Sequence, residues 1–345
     1  FFFFFSSSSS FSPPPPCFLL PPSSFFCCCC CGRQVMQARE QQEGQESLAA
    51  VSAVYNLART LVKMPEAAKQ EEAELLLREA LRGFHAAHGE QHESTLHCIG
   101  MLAGVLETRG EANEALALRR RAHRGWLAIN GPSDKRTLAA LSYLAAALQQ
   151  IDKPSEAEPL LRELLAGDEQ ASGPDSPAAL NSAYNLAMNL LAQDEAEHYR
   201  EMDALLRRVA ASKQPELVAP AAESLALSLK RRGRGEEALP LLQDAVRAYE
   251  RCAGPDSLDT LICVHHLAVV EHDLSRFPDA RAHYERALAG FAHQLGDAHE
   301  RTHRCQHDLQ LCIETERSLK HHRAYDRPWR LDNMTPSLNI PRKKK

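Results

Sequence analysis

Aromatic residues are scarce in this 345-residue sequence, at 6%, and unevenly placed: nine of the twelve Phe lie within the first 31 residues, leaving Phe84, Phe277 and Phe291 for the rest. A core of this size usually holds more large rings. The body must be packed by Leu and Ala, which suits stacked helices and argues against a β-sandwich or an α/β enzyme. Cysteine pairing is missing too. Six of the eleven Cys sit at Cys17 and Cys27–Cys31; Cys98, Cys252, Cys263, Cys305 and Cys312 are scattered and form no C-x-x-C. That pattern reads as a reducing, cytoplasmic compartment rather than a disulfide framework. The sequence has no phosphate-cradling P-loop, no G-x-S-x-G and no G-x-G-x-x-G; Gly233 and Gly235 mark a turn. A net charge of −5 excludes nucleic-acid binding by bulk electrostatics. A membrane span needs about 18 apolar residues, and Pro21, Pro22, Ser23 and Ser24 break the best stretch.

Residues 1–31 carry no charge and use only Phe, Ser, Pro, Cys and Leu. They lack the basic start and small-residue cleavage site of a signal peptide. Their codons are pyrimidine-rich, so the tract reads as a disordered or artefactual translated pyrimidine run. A palmitoylated or metal-binding Cys cluster is the alternative, although adjacent Cys fit one tetrahedral site poorly. Residues 32–46 read as a polar linker with no apolar periodicity to dock. From Arg317 to Lys345 the balance is +7, against −12 for residues 32–316, so 317–345 reads as a basic disordered tail.

The body repeats. Gly89, Gly131 and Gly173 are 42 apart, as are Gly254 and Gly296. Leu-Ala recurs at Leu57-Ala58, Leu102-Ala103, Leu144-Ala145, Leu186-Ala187, Leu225-Ala226 and Leu267-Ala268, with Leu309-Gln310 following at the same interval. A third phrase gives Ala73, Ala115, Ala157, Met202, Ala238 and Ala280. Three registers locked to one period identify a repeat array. Each unit reads as a helical hairpin: Ser176 caps a helix with Pro177 in its first turn, and Leu180, Ala183, Leu186, Ala187, Leu190 and Leu191 follow at helical spacing. The Ala after each Leu marks a close helix crossing where a larger side chain would strain the core. The fourth unit departs, with Met202 in place of Ala and an altered spacing, so 192–222 is expected to bend or loosen. The seventh has only a first helix, with a polar surface suited to a solvent-facing cap.

These phrases resemble the tetratricopeptide repeat. The pattern Gly173…Leu180…Asn185-Leu186-Ala187 and Gly254…Leu261…His266-Leu267-Ala268 resembles its kinesin-light-chain-like subtype. The resemblance covers about 47–316. It implies an all-α superhelical solenoid of about six and a half hairpins that acts as a non-catalytic scaffold or adaptor, with first helices lining a concave groove that binds a protein or peptide. Residues 32–46 are too short for the heptad region through which kinesin light chains hold the motor heavy chain, so the resemblance does not carry motor attachment with it. The first residue is not Met, so a repeat fragment of a larger signalling protein is an alternative.

In such a groove the residues two before and two after each Leu face the partner: Tyr55 and Arg59, Tyr184 and Met188, Glu223 and Leu227, His265 and Val269. Asn56 and Asn185 lie beside them, and the resemblance implies that they hold a peptide backbone, since an amide offers both donor and acceptor. Lys230 and Arg231 add charge on the fifth unit. No cofactor, membrane or nucleic-acid partner is expected. One motif points elsewhere: His299-Glu300-Arg301-Thr302-His303 fits H-E-x-x-H, and His307 extends it to a stripe. It lies at a helix start with no glycine turn after it, so a metal-binding or zinc-dependent protein is the alternative reading. Arg119-Arg120-Arg121 reads as a solvated helix face, and Cys98, Cys263 and Cys305, at one repeat position, as small apolar fillers.

Overall fold

The computed structural model describes residues 32–39, 41, 44 and 47–325, with side chains through residue 320. The readings made above for residues 1–31 and for the tail beyond 325 lie outside the described residues. Among the described residues every regular element is a helix: α1 (32–39), α2 (Leu48–Leu61), α3 (Ala67–His88), α4 (Glu93–Arg109), α5 (Ala112–Asn130), α6 (Lys135–Gln150), α7 (Pro154–Ser172), α8 (Pro177–Gln193), α9 (Tyr199–Ala210), α10 (Pro215–Arg231), α11 (Gly235–Ala253), α12 (Leu258–Asp273), α13 (Phe277–Leu295) and α14 (Glu300–Tyr325). This is the expected all-α repeat fold. The chain divides into two compact units after Leu160, within α7.

The first helices (α2, α4, α6, α8, α10, α12, α14) begin at a nearly fixed distance from their Leu. Ten residues before that Leu stands the N-cap, except in α10, where Gln214 stands eleven before it and makes no side-chain bond. Ser47, Ser176 and Ser257 accept from the backbone N–H of Ala50, Ala179 and Thr260, and Asp134, His92 and His299 accept from an N–H two residues on. Eight residues after the Leu the chain turns back through a positive φ: Gly110 at 83°, Asp152 at 57°, Asp194 at 53°, Gly233 at 75° and Ser275 at 61°. Gly, or a short polar residue that bonds locally, tolerates that geometry. The glycines of the 42-residue period form a second turn, between hairpins. There the carbonyls of Gly89, Gly254 and Gly296 accept from Thr95, Thr260 and Thr302, each six residues on.

The core follows the phrases. The Ala after Leu is fully buried in all six cases, and so are Ala73, Ala115, Ala157, Met202, Ala238 and Ala280. Within the first unit, Val51, Val54 and Ala58 of α2 pack with Leu77 and Phe84 of α3, Leu102 and Leu106 of α4, and Ala115 of α5. Hairpin helices also approach closely at a second place. A Cβ on Gly83, Gly125 or Gly290 would strike Val51, Leu96 or Leu261 of the partner helix. These glycines stand ten residues into the pattern that starts at Ala73, Ala115 and Ala280.

Three places differ from the sequence expectation. Residues 32–39 are helical rather than a plain linker, with Met36 packed against the α2–α3 core and Arg33 paired with Glu72. Val35 beside it is 54% exposed, so a single buried methionine gives too little periodicity to be read. In the fourth hairpin α9 is short, yet Met202, Leu206 and Val209 are fully buried; the bulkier Met fills the space that a shortened helix leaves, so the core there is not loosened. Finally, α14 continues to Tyr325 instead of ending near residue 316.

The Gly83 crossing yields a signed prediction. Gly83→Ala gains about 1 kcal/mol of helix propensity but drives a Cβ to within 2.8 Å of Val51 Cγ1, with Cγ2 closer still. Val is stiff at χ1, so overpacking of about 1–3 kcal/mol wins. Urea denaturation should show Gly83→Ala destabilising in the parent and stabilising by about 1 kcal/mol in a Val51→Ala background. The same sign in both backgrounds would refute this packing.

Candidate interaction face

Side chains on the uncovered side of the first helices are set by their distance from the Leu. The residue one before it is Asn56, Met101, Tyr143, Asn185, Ser224, His266 and Asp308 in turn; the residue two before it is Tyr55, Gly100, Ser142, Tyr184, Glu223, His265 and His307. The second row was expected to be the open one. The structure turns it partly inward, because the Leu-Ala stripe packs against two neighbours and brings this row to the edge of an adjacent first helix.

In the first unit the face is open. Asn56 and Arg59 of α2 are exposed; the Asn56 amide has no side-chain partner, and Arg59 no carboxylate, among the described residues. Tyr55 is half-buried, edge-on to Phe84 at 5.8 Å, and burial raises its phenol pKa. On α4 the corresponding positions are Gly100 and Gly104, and an added Cβ at Gly100 would meet nothing. Beside them Tyr143 of α6 is 44% exposed, with the Arg119 guanidinium 4.6 Å from its ring centre. Arg119 itself corrects the reading of a solvated basic face. It is buried, donates through Nε and Nη2 to Glu107 at 2.9 and 2.7 Å and through Nη1 to the Gly100 carbonyl at 3.1 Å. Arg120 and Arg121 remain on the surface, paired with Glu156 and Glu90.

In the second unit the same rows are tied together. Ser224 lies beside the Tyr184 phenol, whose pKa burial raises. Glu223 Oε1 meets His266 Nδ1 at 2.7 Å, and its Oε2 accepts from the Tyr249 hydroxyl at 3.0 Å. His265 Nε2 meets Asp308 Oδ2 at 3.0 Å. The rule is one: the residue two before a Leu reaches the residue one before the next Leu. His265 is thus buried against Tyr284 and Phe291 rather than lining a groove, and Glu223 is held within the array. Lys230 pairs with Asp273 at 3.2 Å and Arg231 with Asp194 at 3.8 Å. Asn185 is exposed and Met188 half-buried, both unpaired among the described residues. Sequence reading missed Gly100, Gly104 and Tyr143. Extending the two rows through every unit would have found them, and opposite charges 43 residues apart (Glu223 with His266, His265 with Asp308) signalled the links.

The repeat register accounts for the histidine stripe. His299 stands at the cap position, where Nδ1 accepts from Arg301 N–H at 3.1 Å as His92 accepts from Ser94. His303 holds the place of Val51, Leu96 and Leu261, and His307 lies on the outer row, 76% exposed. Among the described residues the only group of three ligand-type side chains that converges is Glu195, Glu197 and His198, on the α8–α9 connection and mostly exposed. Cys98, Cys263 and Cys305 are buried fillers; Cys98 and Cys305 donate to the carbonyls of Leu77 and Tyr284, and burial pushes both thiols up to about 12. No described helix is long and apolar enough to cross a membrane.

Residues 94–170 and 217–293 match the family described as tetratricopeptide repeat. No curated protein matches the sequence at a significant level. Solved structures share the fold at low identity. Nearly identical TPR-like repeats of a Podosopora anserina protein described as a kinesin light chain are 21% identical, with a TM-score of 0.51 over 59% of this chain and 96% of that one. BtubC (BKLC) from P. vanneervenii is 16% identical, with a TM-score of 0.56 over 67% and 93%. Aspartyl phosphate phosphatase F from Bacillus subtilis is 12% identical, with a TM-score of 0.53 over 81% and 77%.

The buried His265 makes stability depend on pH. Burial lowers its pKa below the ordinary 6.5, with Asp308 pulling the other way. The fold therefore favours the neutral ring, and the unfolded chain takes the proton first as pH falls. Stability is full above about 6.5 and is lost as pH drops towards the lowered value. Thermal melts between about pH 7.5 and 5.5 should show a smaller loss for His265→Gln than for the parent. Equal slopes would refute this account.

Proposed function

We propose that this array of tetratricopeptide repeats is a non-catalytic protein-interaction scaffold, cytoplasmic, which holds an extended peptide segment of a partner along its first-helix faces. The observation that carries this reading is found in each unit by itself: Asn56 and Arg59 stand exposed and unpaired among the described residues beside half-buried Tyr55 in the first, and Asn185 does so beside half-buried Tyr184 and Met188 in the second. In the second unit Tyr184, Glu223, His265 and His266 are tied to neighbouring side chains, so the exposed Asn185 amide is the exception there. An Asn amide can donate to and accept from a peptide unit whatever its sequence, while Tyr and Met supply aromatic and pliable apolar contact. Gly100 carries no side chain, and a Cβ there would meet nothing, so a peptide can approach the helix backbone closely at that point. Lys230 and Arg231, in weak surface pairs, are free to exchange their carboxylates for those of a partner. Glu223 and His265 belong to internal links and are left out of the face.

The fold by itself fixes no function, so the test is direct. Peptide display against the full chain should yield binders. Tyr184→Ala with Asn185→Ala, or Asn56→Ala with Arg59→Ala, should weaken the selected peptide by about 2 kcal/mol, roughly 30-fold, while helical content is unchanged. His299→Ala with His303→Ala should leave binding intact. Loss of binding with the histidine pair, and none with either face pair, would overturn the scaffold reading in favour of a metal-dependent one.

A further inference from the structure

In the second unit the row one before each Leu runs Asn185, Ser224, His266 and Asp308. The His266 side chain, on α12, is 30% exposed, and that of Glu223, its partner on α10, 13%. Both oxygens of Glu223 are engaged. Oε1 meets His266 Nδ1 at 2.7 Å, and Oε2 accepts from the Tyr249 hydroxyl of α11 at 3.0 Å. Burial first, and the Glu223 charge next, raise the Tyr249 pKa, so the phenol keeps its proton and donates it. An ionised carboxylate can only accept. The proton between Glu223 and His266 therefore sits on Nδ1. In the neutral ring the other nitrogen then holds a lone pair and no proton. That nitrogen, Nε2, meets no described residue and is open to solvent.

We propose that His266 is an acceptor-only reader on the interaction face of the second unit. Its Nε2 takes a hydrogen bond from an N–H group of the bound segment, and Glu223 and Tyr249 are the positioning residues that hold the ring in that state. This rests on the scaffold reading and adds to it the polarity of one contact. Asn185, on the same row, is indifferent to polarity, because an amide both donates and accepts. His266 is not. With its Nδ1–H held by Glu223 it accepts an N–H and gives nothing to a carbonyl, so the segment must present a donor there. Proline has no main-chain N–H to offer, and a carbonyl or carboxylate would meet a lone pair. Histidine by itself does not set this polarity. Left alone, a neutral histidine ring favours the proton on Nε2, and the carboxylate reverses that preference. Discrimination then comes from the polar group that a wrong partner leaves unpaired. Glu223, expected in the groove from its place two before a Leu, thus acts through His266 without touching the segment.

Nuclear magnetic resonance of the ring nitrogens reads this directly. In the full chain, with nitrogen-labelled histidine at mildly alkaline pH, the His266 signals are assigned by their loss in His266→Gln. Nδ1 should carry the proton and Nε2 should be bare. Glu223→Leu should move the proton to Nε2, which the loss of a merely structural carboxylate would not do. A peptide selected by display, and weakened by the Tyr184→Ala, Asn185→Ala pair, binds the second unit and should shift Nε2. Its main-chain amides are then replaced one at a time by esters, and its side-chain N–H donors by Ala. One such loss should weaken binding about five- to tenfold, leave Nε2 unshifted, and cost nothing in His266→Phe. A proton on Nε2 in the parent, or such a peptide bound without shifting Nε2, overturns this inference and leaves the scaffold reading standing. Failure to obtain any binder removes the scaffold reading and this one with it. Should His266→Phe fail to fold, a shift of Nε2 by the amide peptide and not by its ester decides alone.

Discussion

The structure depends on how closely two helices of one hairpin can approach. A fully buried Ala after each Leu sets that distance at one level, and Gly83, Gly125 and Gly290 set it at another, where even a methyl group has no room. Because aromatics are so few, this small-residue contact takes the place of large-ring packing. A Leu and Ala core excludes water efficiently only when backbones lie close, since voids forfeit the dispersion contacts that Leu side chains would otherwise make. The two turns then follow as geometric necessities. A positive φ eight residues after the Leu returns the chain at that spacing, and a glycine with a threonine lock hands it to the next hairpin.

The same geometry governs the outer rows. In the second unit, where first helices lie side by side, the residue two before a Leu meets the residue before the next one. What differs between the two units is the chemistry supplied there. In the second unit carboxylate, imidazole and hydroxyl groups find each other, and burial makes those links costly to break individually. In the first unit Gly100 supplies no side chain, so Tyr143 is left to stack with Arg119, whose own charge is neutralised by Glu107. A repeat fold can thus be closed in one stretch and open in another without any change of backbone.

The fold was largely legible in the sequence because period, caps and small residues are local or strictly repeated signals. The full burial of Ala103 or Ala238 could be read from register alone. The outer rows were less so. Whether a side chain there is free depends on a partner about 43 residues away, as with His265 and Asp308. Arg119 shows the same limit: beside Arg120 and Arg121 it looks like a solvated charge, and only the position of Glu107 and the bare Gly100 backbone draws it inward. The helical turn carrying Met36 and the length of α14 were missed because each lies where the repeat pattern has ended and no longer constrains the reading.

The histidine stripe makes the same point in reverse. H-E-x-x-H places two imidazoles on one face of a helix, and that spacing is what a zinc site requires. Here each histidine has an independent reason to be where it is. The first accepts a backbone N–H as a helix cap. The second stands exposed at the register position where Val51, Leu96 and Leu261 are buried. The third lies on the outer row. A cap must be a hydrogen-bond acceptor, and an exposed position is under no pressure to be apolar. Two unrelated constraints at a spacing of four are therefore enough to reproduce the motif. The spacing follows from the helix, while the chemistry at each position follows from what that helix packs against.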